Sequence, residues 1–350
     1  MRKFCLSLLA LATTTKAFTC LSTTKTRRRT RCEAQNPLDA IGEFLESRAA
    51  PPDLPPNLPV KGVVITGGAN GVGYAYADEF LRRGHRVMIC DVRDPYDAVD
   101  ALKAKHGDAE VFGETCDVSD ARSVRQFAKT AAQKLGGVDV WVNNAAINGG
   151  RRPFLEVPDD VIEAVVRVNL FGVLICTKVA METMAGRGGH VFNTVGSGVR
   201  GGGTPGYVTY GAAKRGLPQM TDSLVAELEG KTQGYAFKND KVKVHTLSPG
   251  MVFTDLLLKD STAELRKFPF SVLAATPDQV AADLVPKILA VANDPKQQGT
   301  FVEYLSTEKT LSKFFNRFVR QQKSSIIDDD GNVIKQDGAV YNDDGVKALY

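Results

Sequence analysis

Residues 60–73 read VKGVVITGGANGVG. Val60–Thr66 is an apolar, β-branched run of strand length, and Thr66–Gly73 is a glycine-rich turn that leads into a helical pattern through Arg83. Glycine in such a turn lets the backbone approach a ligand closely. The N–H groups and dipole at the start of the following helix suit a pyrophosphate. A lone glycine pattern is weak evidence, but Gly67, Gly71 and Gly73 stand in the strand-before, helix-after context the motif requires. Thr66, Asn70 and Val72 complete the loop as candidate dinucleotide contacts.

Outward from this turn, strand-like and helical stretches alternate. Strands are predicted at His85–Asp91, Val111–Val118, Val138–Val142, Gly189–Val195, Lys241–Leu247 and Thr300–Leu305. The helices are Ser119–Leu135, Val161–Ala185, Tyr210 to about Glu229, and Pro277–Ala292. The alternation predicts an α/β fold: a single Rossmann-type, doubly wound parallel sheet of about seven strands with short N- and C-terminal extensions. Asp91 ends the second strand, where a carboxylate accepts hydrogen bonds from ribose hydroxyls and repels a 2′-phosphate. This favours NAD, whereas Arg93, two positions on, can turn toward the phosphate of NADP.

A second stretch, Ser197–Lys214, reads SGVRGGGTPGYVTYGAAK. Tyr210 and Lys214 share one helix face, because i and i+4 side chains are neighbours. A phenol with a reference pKa near ~10 is a poor proton donor or base at neutral pH, and an adjacent ammonium is expected to bring it down. Ser197 can reach the same point from a strand end. Alone, Tyr-x-x-x-Lys usually decorates a solvated helix.

Taken in order, the glycine loop, Asp91, Asn143-Asn144-Ala145-Ala146, Asn169, Ser197, Tyr210, Lys214 and Ser248-Pro249-Gly250 resemble the short-chain dehydrogenase/reductase family. The resemblance implies that Asp117 and Val118 meet the adenine and that Asn144 and Ala145 pass beneath the cofactor, with Ala146 where the family has glycine. It also implies that Pro249, Val252 and Thr254 hold the nicotinamide side. Tyr210 and Lys214 contact the ribose, Tyr210 donates the proton to a carbonyl, Ser197 bonds the carbonyl oxygen, and Asn169 keeps a relay water. Within the family, VNLFGVLICTKVAMETM, GGHVFNTVGSG, TPGYVTYGAAKRGLPQ and VHTLSPGMVFTDLLL, along 168–258, resemble the plastid chlorophyll b reductases, and the likeness extends more weakly over roughly 60–320. This implies NADPH-dependent reduction of a ring formyl group to hydroxymethyl. Asn70 and Asp91 depart from the phosphate-preferring pattern, so NAD and NADP both stay open. Reduction of another pigment or lipid carbonyl, and a non-catalytic dinucleotide sensor, remain alternatives.

The chain has 350 residues and a net charge of +4. Residues 1–33 hold eight of the 44 Lys/Arg and one of the 40 acids, which leaves 36 basic and 39 acidic groups in the body. A body of net charge −3 does not support nucleic-acid binding. Met1–Ala17 resembles a signal peptide, and the Ser/Thr/Arg-rich Thr19–Arg31 a transit peptide. In series they resemble the bipartite leaders of secondary plastids, and no second apolar run is expected to reach spanning length.

Residues 34–59 read as a proline-rich linker with one amphipathic segment, Leu38–Leu45. The domain is expected over 60–306, with a surface loop at Gly230–Lys241. A C-terminal helix and a loosely ordered acidic tail follow over 307–350. Phe314, Phe315 and Phe318 form one helical stripe, suited to packing on the domain or to a thylakoid surface. Cys90, Cys116 and Cys176 lack metal-ligand spacing and read as buried, reduced thiols, and no metal is expected. Phe253–Ala275 is expected to be a substrate lid whose apolar residues either leave a wide mouth for a large apolar substrate or pack on their own core. A homo-oligomer, or association with a related reductase, is the expected assembly.

Overall fold

The computed structural model describes residues 37–196, 198–231, 241–258 and 261–335. Helix α1 (Pro37–Ala49) comes first, followed by β1 (Gly62–Thr66), α2 (Gly71–Arg82), β2 (Arg86–Asp91), α3 (Tyr96–His106), β3 (Val111–Thr115), α4 (Ala121–Lys134) and β4 (Val140–Asn143). Then come α5 (Asp159–Met184), β5 (Gly189–Thr194), α6 (Val208–Leu228) and β6 (Val242–Ser248). Three one-turn helices, α7 (Asp255–Leu258), α8 (Ala263–Arg266) and α9 (Phe270–Leu273), precede α10 (Pro277–Ala292), β7 (Phe301–Glu303) and α11 (Thr307–Phe318).

Side-chain alternation along the strands builds two cores. Val63 and Ile65 of β1 face one core with α2, α3 and α10, while Val64 faces the other with α4 and α5. Burial on both faces explains why Val63, Val64 and Ile65 of β1 are apolar in succession and do not alternate. The seven strands are all parallel, in the order β3-β2-β1-β4-β5-β6-β7. Strand order reverses between β1 and β4, so a crevice opens at their carboxyl ends. The doubly wound reading therefore holds, and Cys90, Cys116 and Cys176 are free, buried thiols.

Several elements differ from expectation. The amphipathic segment in the linker is a full helix, α1, and it docks on α11: Glu46 Oε1 accepts from Arg320 Nη1 at 2.7 Å and from Asn316 Nδ2 at 3.0 Å. Helix α5 is long and apolar enough to cross a membrane by length and composition, contrary to the expectation that no second run would be. Part of its apolar surface serves the domain, with Cys176, Val179, Ala180 and Met184 buried in the α4 core. The tail is folded through 335. Asp328 Oδ1 accepts from the N–H groups of Asp330 and Asn332, and Ile327 is buried against the lid. The leader, residues 232–240 of the loop, and 336–350 lie outside the described residues.

Candidate active site

The crevice is held by the turn after β4. Thr66 Oγ1 accepts from Asn144 N at 3.0 Å and from Ala145 N at 3.1 Å, while Asn144 Nδ2 donates to Thr66 O and Gly67 O, both at 3.1 Å. Gly67 takes φ +64° against Ala145, and a Cβ on Gly73 would stand 2.0 Å from Gly67 O. These two glycines are thus required by the close approach of the two turns. Asn143 is structural: it receives Trp141 Nε1–H on Oδ1 and donates to Thr177 and Asn193, all buried.

Asn70 caps α2, its Oδ1 accepting from Gly71 N at 2.7 Å. Asp91 ends β2 with its carboxylate on Arg93 N–H at 3.2 Å, and the Arg93 guanidinium is 4.0 Å away and exposed. Asp117 Oδ1 accepts from the N–H and hydroxyl of Ser119, both at 2.8 Å, which sets Val118 into the core.

Helix α6 delivers Tyr210 and Lys214. The Lys214 ammonium is 1% exposed and donates to Thr194 O at 3.0 Å, and burial lowers its pKa to about 8. Burial also pushes the Tyr210 phenol up to about 12, which corrects the expectation of a lowered phenol. Loss of water around the phenolate governs Tyr210, and the ammonium is turned onto a carbonyl. The Tyr210 ring packs under Gly196, where a Cβ would stand 2.4 Å from the hydroxyl. Ser197 lies outside the described residues.

Asn169 sits in a π-helical turn, Arg167–Gly172, within α5. Its side chain accepts from Ile147 N at 3.0 Å and donates to Ile147 O at 2.6 Å, so both ends of the amide are committed to the backbone after β4.

Residues 61–265 match the short chain dehydrogenase family. The chain belongs to that family. It is 39% identical over 75% of its length to chlorophyll(ide) b reductase NOL, chloroplastic, of Arabidopsis thaliana, of which the match covers 75%. It is 37% identical over 74% of its length to the protein of that name in Oryza sativa subsp. japonica, covering 76% of it. Among solved structures, an alcohol dehydrogenase from Thermococcus sibiricus complexed with 5-hydroxy-NADP superposes with a TM-score of 0.58 at 24% identity, over 71% of this chain and 99% of that one.

This short-chain dehydrogenase is an oxidoreductase of the nicotinamide dinucleotide type, and its crevice fits that cofactor. The glycine cradle leaves no room for a Cβ at Gly73, and the Thr194 hydroxyl, which lines the cavity beside Lys214, is buried with no partner among the described residues.

Val72, Asn144, Thr194, Tyr210, Lys214, Pro249, Val252 and Thr254 line one cavity of about 160 Å³, while Asp91, Asp117 and Val118 lie outside it at the ends of β2 and β3. The lid does not form a wide apolar mouth. Phe253, Leu258 and Phe270 pack into a core of their own with Ile327, and of the lid's large apolar residues only Leu256 and Leu257 reach the cavity. Gly202 and Gly203 line a separate hollow. Sequence reasoning missed Gly196 and Asn148. Asn148 is followed by Gly149 and Gly150, both at positive φ, and this paired-glycine turn was the available signal.

Gly196→Ala is expected to lower kcat by at least about tenfold, because relief of the 2.4 Å contact shifts the Tyr210 hydroxyl by an appreciable part of the ~1 Å misplacement that costs about 10²-fold. The dissociation constant for reduced dinucleotide should stay within about twofold. Steady-state kinetics with fluorescence titration checks both, and an unchanged kcat would show that the contact is unimportant.

Proposed function

We propose that the protein reduces the formyl group of chlorophyll b or chlorophyllide b to hydroxymethyl, in a plastid reached through the bipartite leader. The observation that carries this reading is the 37–39% identity, over about three quarters of both chains, to chloroplastic chlorophyll(ide) b reductases. A bound nicotinamide dinucleotide supplies the hydride to the carbonyl carbon. Tyr210 gives its proton to the carbonyl oxygen, and its raised pKa keeps it a donor at neutral pH. Lys214, anchored on Thr194 O, presents a fixed charge to the ribose and to the phenolate that forms. Ser197 bonds the carbonyl oxygen, and Asn169 keeps the relay water.

Asp91 supports tighter binding of reduced NAD than of reduced NADP. Val166, Phe171 and Leu174 of α5 and Val208 of α6, all exposed, support association with a second copy or a related reductase. Phe268 and Phe318, exposed at 57% and 54% and clustered with Phe314, support a thylakoid-surface contact.

Incubation of the protein with chlorophyllide b and either reduced dinucleotide is expected to yield the 7-hydroxymethyl product by chromatography. Turnover of other carbonyl compounds with no such product would reject the substrate. The pH profile follows from Lys214, whose ammonium is charged below about pH 8 and lost above it, while Tyr210 keeps its proton to about 12. Reduction is therefore expected to hold level through neutral pH and fall with a midpoint near 8. A rate unchanged to about pH 10 would contradict a role for the Lys214 charge.

A further inference from the structure

The first turn of the lid is tied to both banks of the crevice. On one bank, Asn70 caps α2 through Oδ1 and donates from Nδ2 to the Asp255 carboxylate at 3.2 Å. On the other, Asn148 accepts Gly150 N–H at 2.9 Å and donates to the Leu256 carbonyl. Between them Thr254 lies against the glycine loop, its Cγ2 3.3 Å from where a Cβ of Gly71 would stand. The cavity beneath, about 160 Å³, is well below the ~300–1,000 Å³ of sites for small molecules. Tied in this way, the first turn of the lid spans the crevice and narrows it.

The N-terminus of α2 is where a dinucleotide's pyrophosphate binds, drawn by unpaired N–H groups and the helix dipole. One amide separates that point from the Asp255 carboxylate, so an anion arriving at the helix end is repelled by Asp255 and competes with it for the Asn70 Nδ2–H. We infer that Asp255 is a positioning residue that sets dinucleotide binding against lid latching. The pyrophosphate displaces the carboxylate from Asn70, the α7 turn is released, and the mouth opens for the carbonyl substrate. The inference rests on dinucleotide use by the family and not on the identity of the carbonyl compound.

The test measures the dissociation constant of reduced dinucleotide by fluorescence titration, without carbonyl substrate, at about 0.02 M and about 0.3 M salt. Asp255→Asn, which keeps an acceptor and removes the charge, is expected to bind about three- to tenfold more tightly at low salt, with the gain shrinking at high salt. Asp255→Glu should remain near the parent. In the parent, saturating dinucleotide should speed tryptic cleavage after Arg266 or Lys267. In Asp255→Ala cleavage should be fast with or without it. Unfolding midpoints identify any variant that fails to fold; if Asp255→Asn does, Asp255→Ala carries the binding comparison, with tighter binding than the parent expected at low salt and equal or weaker binding counting against the inference. Equal or weaker binding by a folded Asp255→Asn at both salts, or slower cleavage of the parent with dinucleotide, would overturn the inference.

Discussion

The Thr66 hydroxyl accepts hydrogen bonds from two successive N–H groups, those of Asn144 and Ala145, and thereby joins the carboxyl ends of β1 and β4. At 2% exposure, water cannot stand in for it. Once these two strand ends are joined, the glycine loop is pinned by Asn144, α2 starts at a fixed point, and the crevice acquires its shape. The same turn continues to Ile147, which Asn169 grips, and to Asn148, which reaches the lid. Glycine loop, α5 and lid are thus all referred to one hinge of backbone after β4.

Burial then decides the chemistry of the cavity. Tyr210 and Lys214 stand one helical turn apart, and removal of water moves their pKa values apart, to about 12 and about 8. Desolvation penalises the charged form of each group, so the phenol is held as an acid while the ammonium becomes sensitive to mild alkali. Charge in the lid acts on the opposite bank, where Asn70 divides its amide between the α2 terminus and Asp255.

Elements with strong local signals were legible in the sequence. Helix α10 spans Pro277–Ala292 as the pattern placed it, and its start is fixed by Pro277 at the first position after the Thr276 cap, within a Thr276–Gln279 capping box. All seven strands followed from short apolar runs between turn signals, and the Tyr210–Lys214 face from the i, i+4 spacing. What was hidden depended on distant partners. Helix α1 looked like part of a linker because its partner, α11, lies more than two hundred residues away. The lid phenylalanines looked available to substrate because nothing local announces that Ile327 completes their core. Gly196 matters only because the Tyr210 ring folds beneath it. The place of Asn169 within a long helix was readable but not its contacts, since a π-helical turn and a grip on Ile147 leave no periodic trace.

The central claim is that Tyr210 is the proton donor to a carbonyl in a dinucleotide-binding crevice, and Tyr210→Phe tests it most directly. The substitution keeps the ring under Gly196 and removes one oxygen. The account predicts a dissociation constant for reduced dinucleotide within about threefold of the parent, and turnover lower by at least about 10²-fold. Turnover at the parental rate, with binding intact, would contradict it.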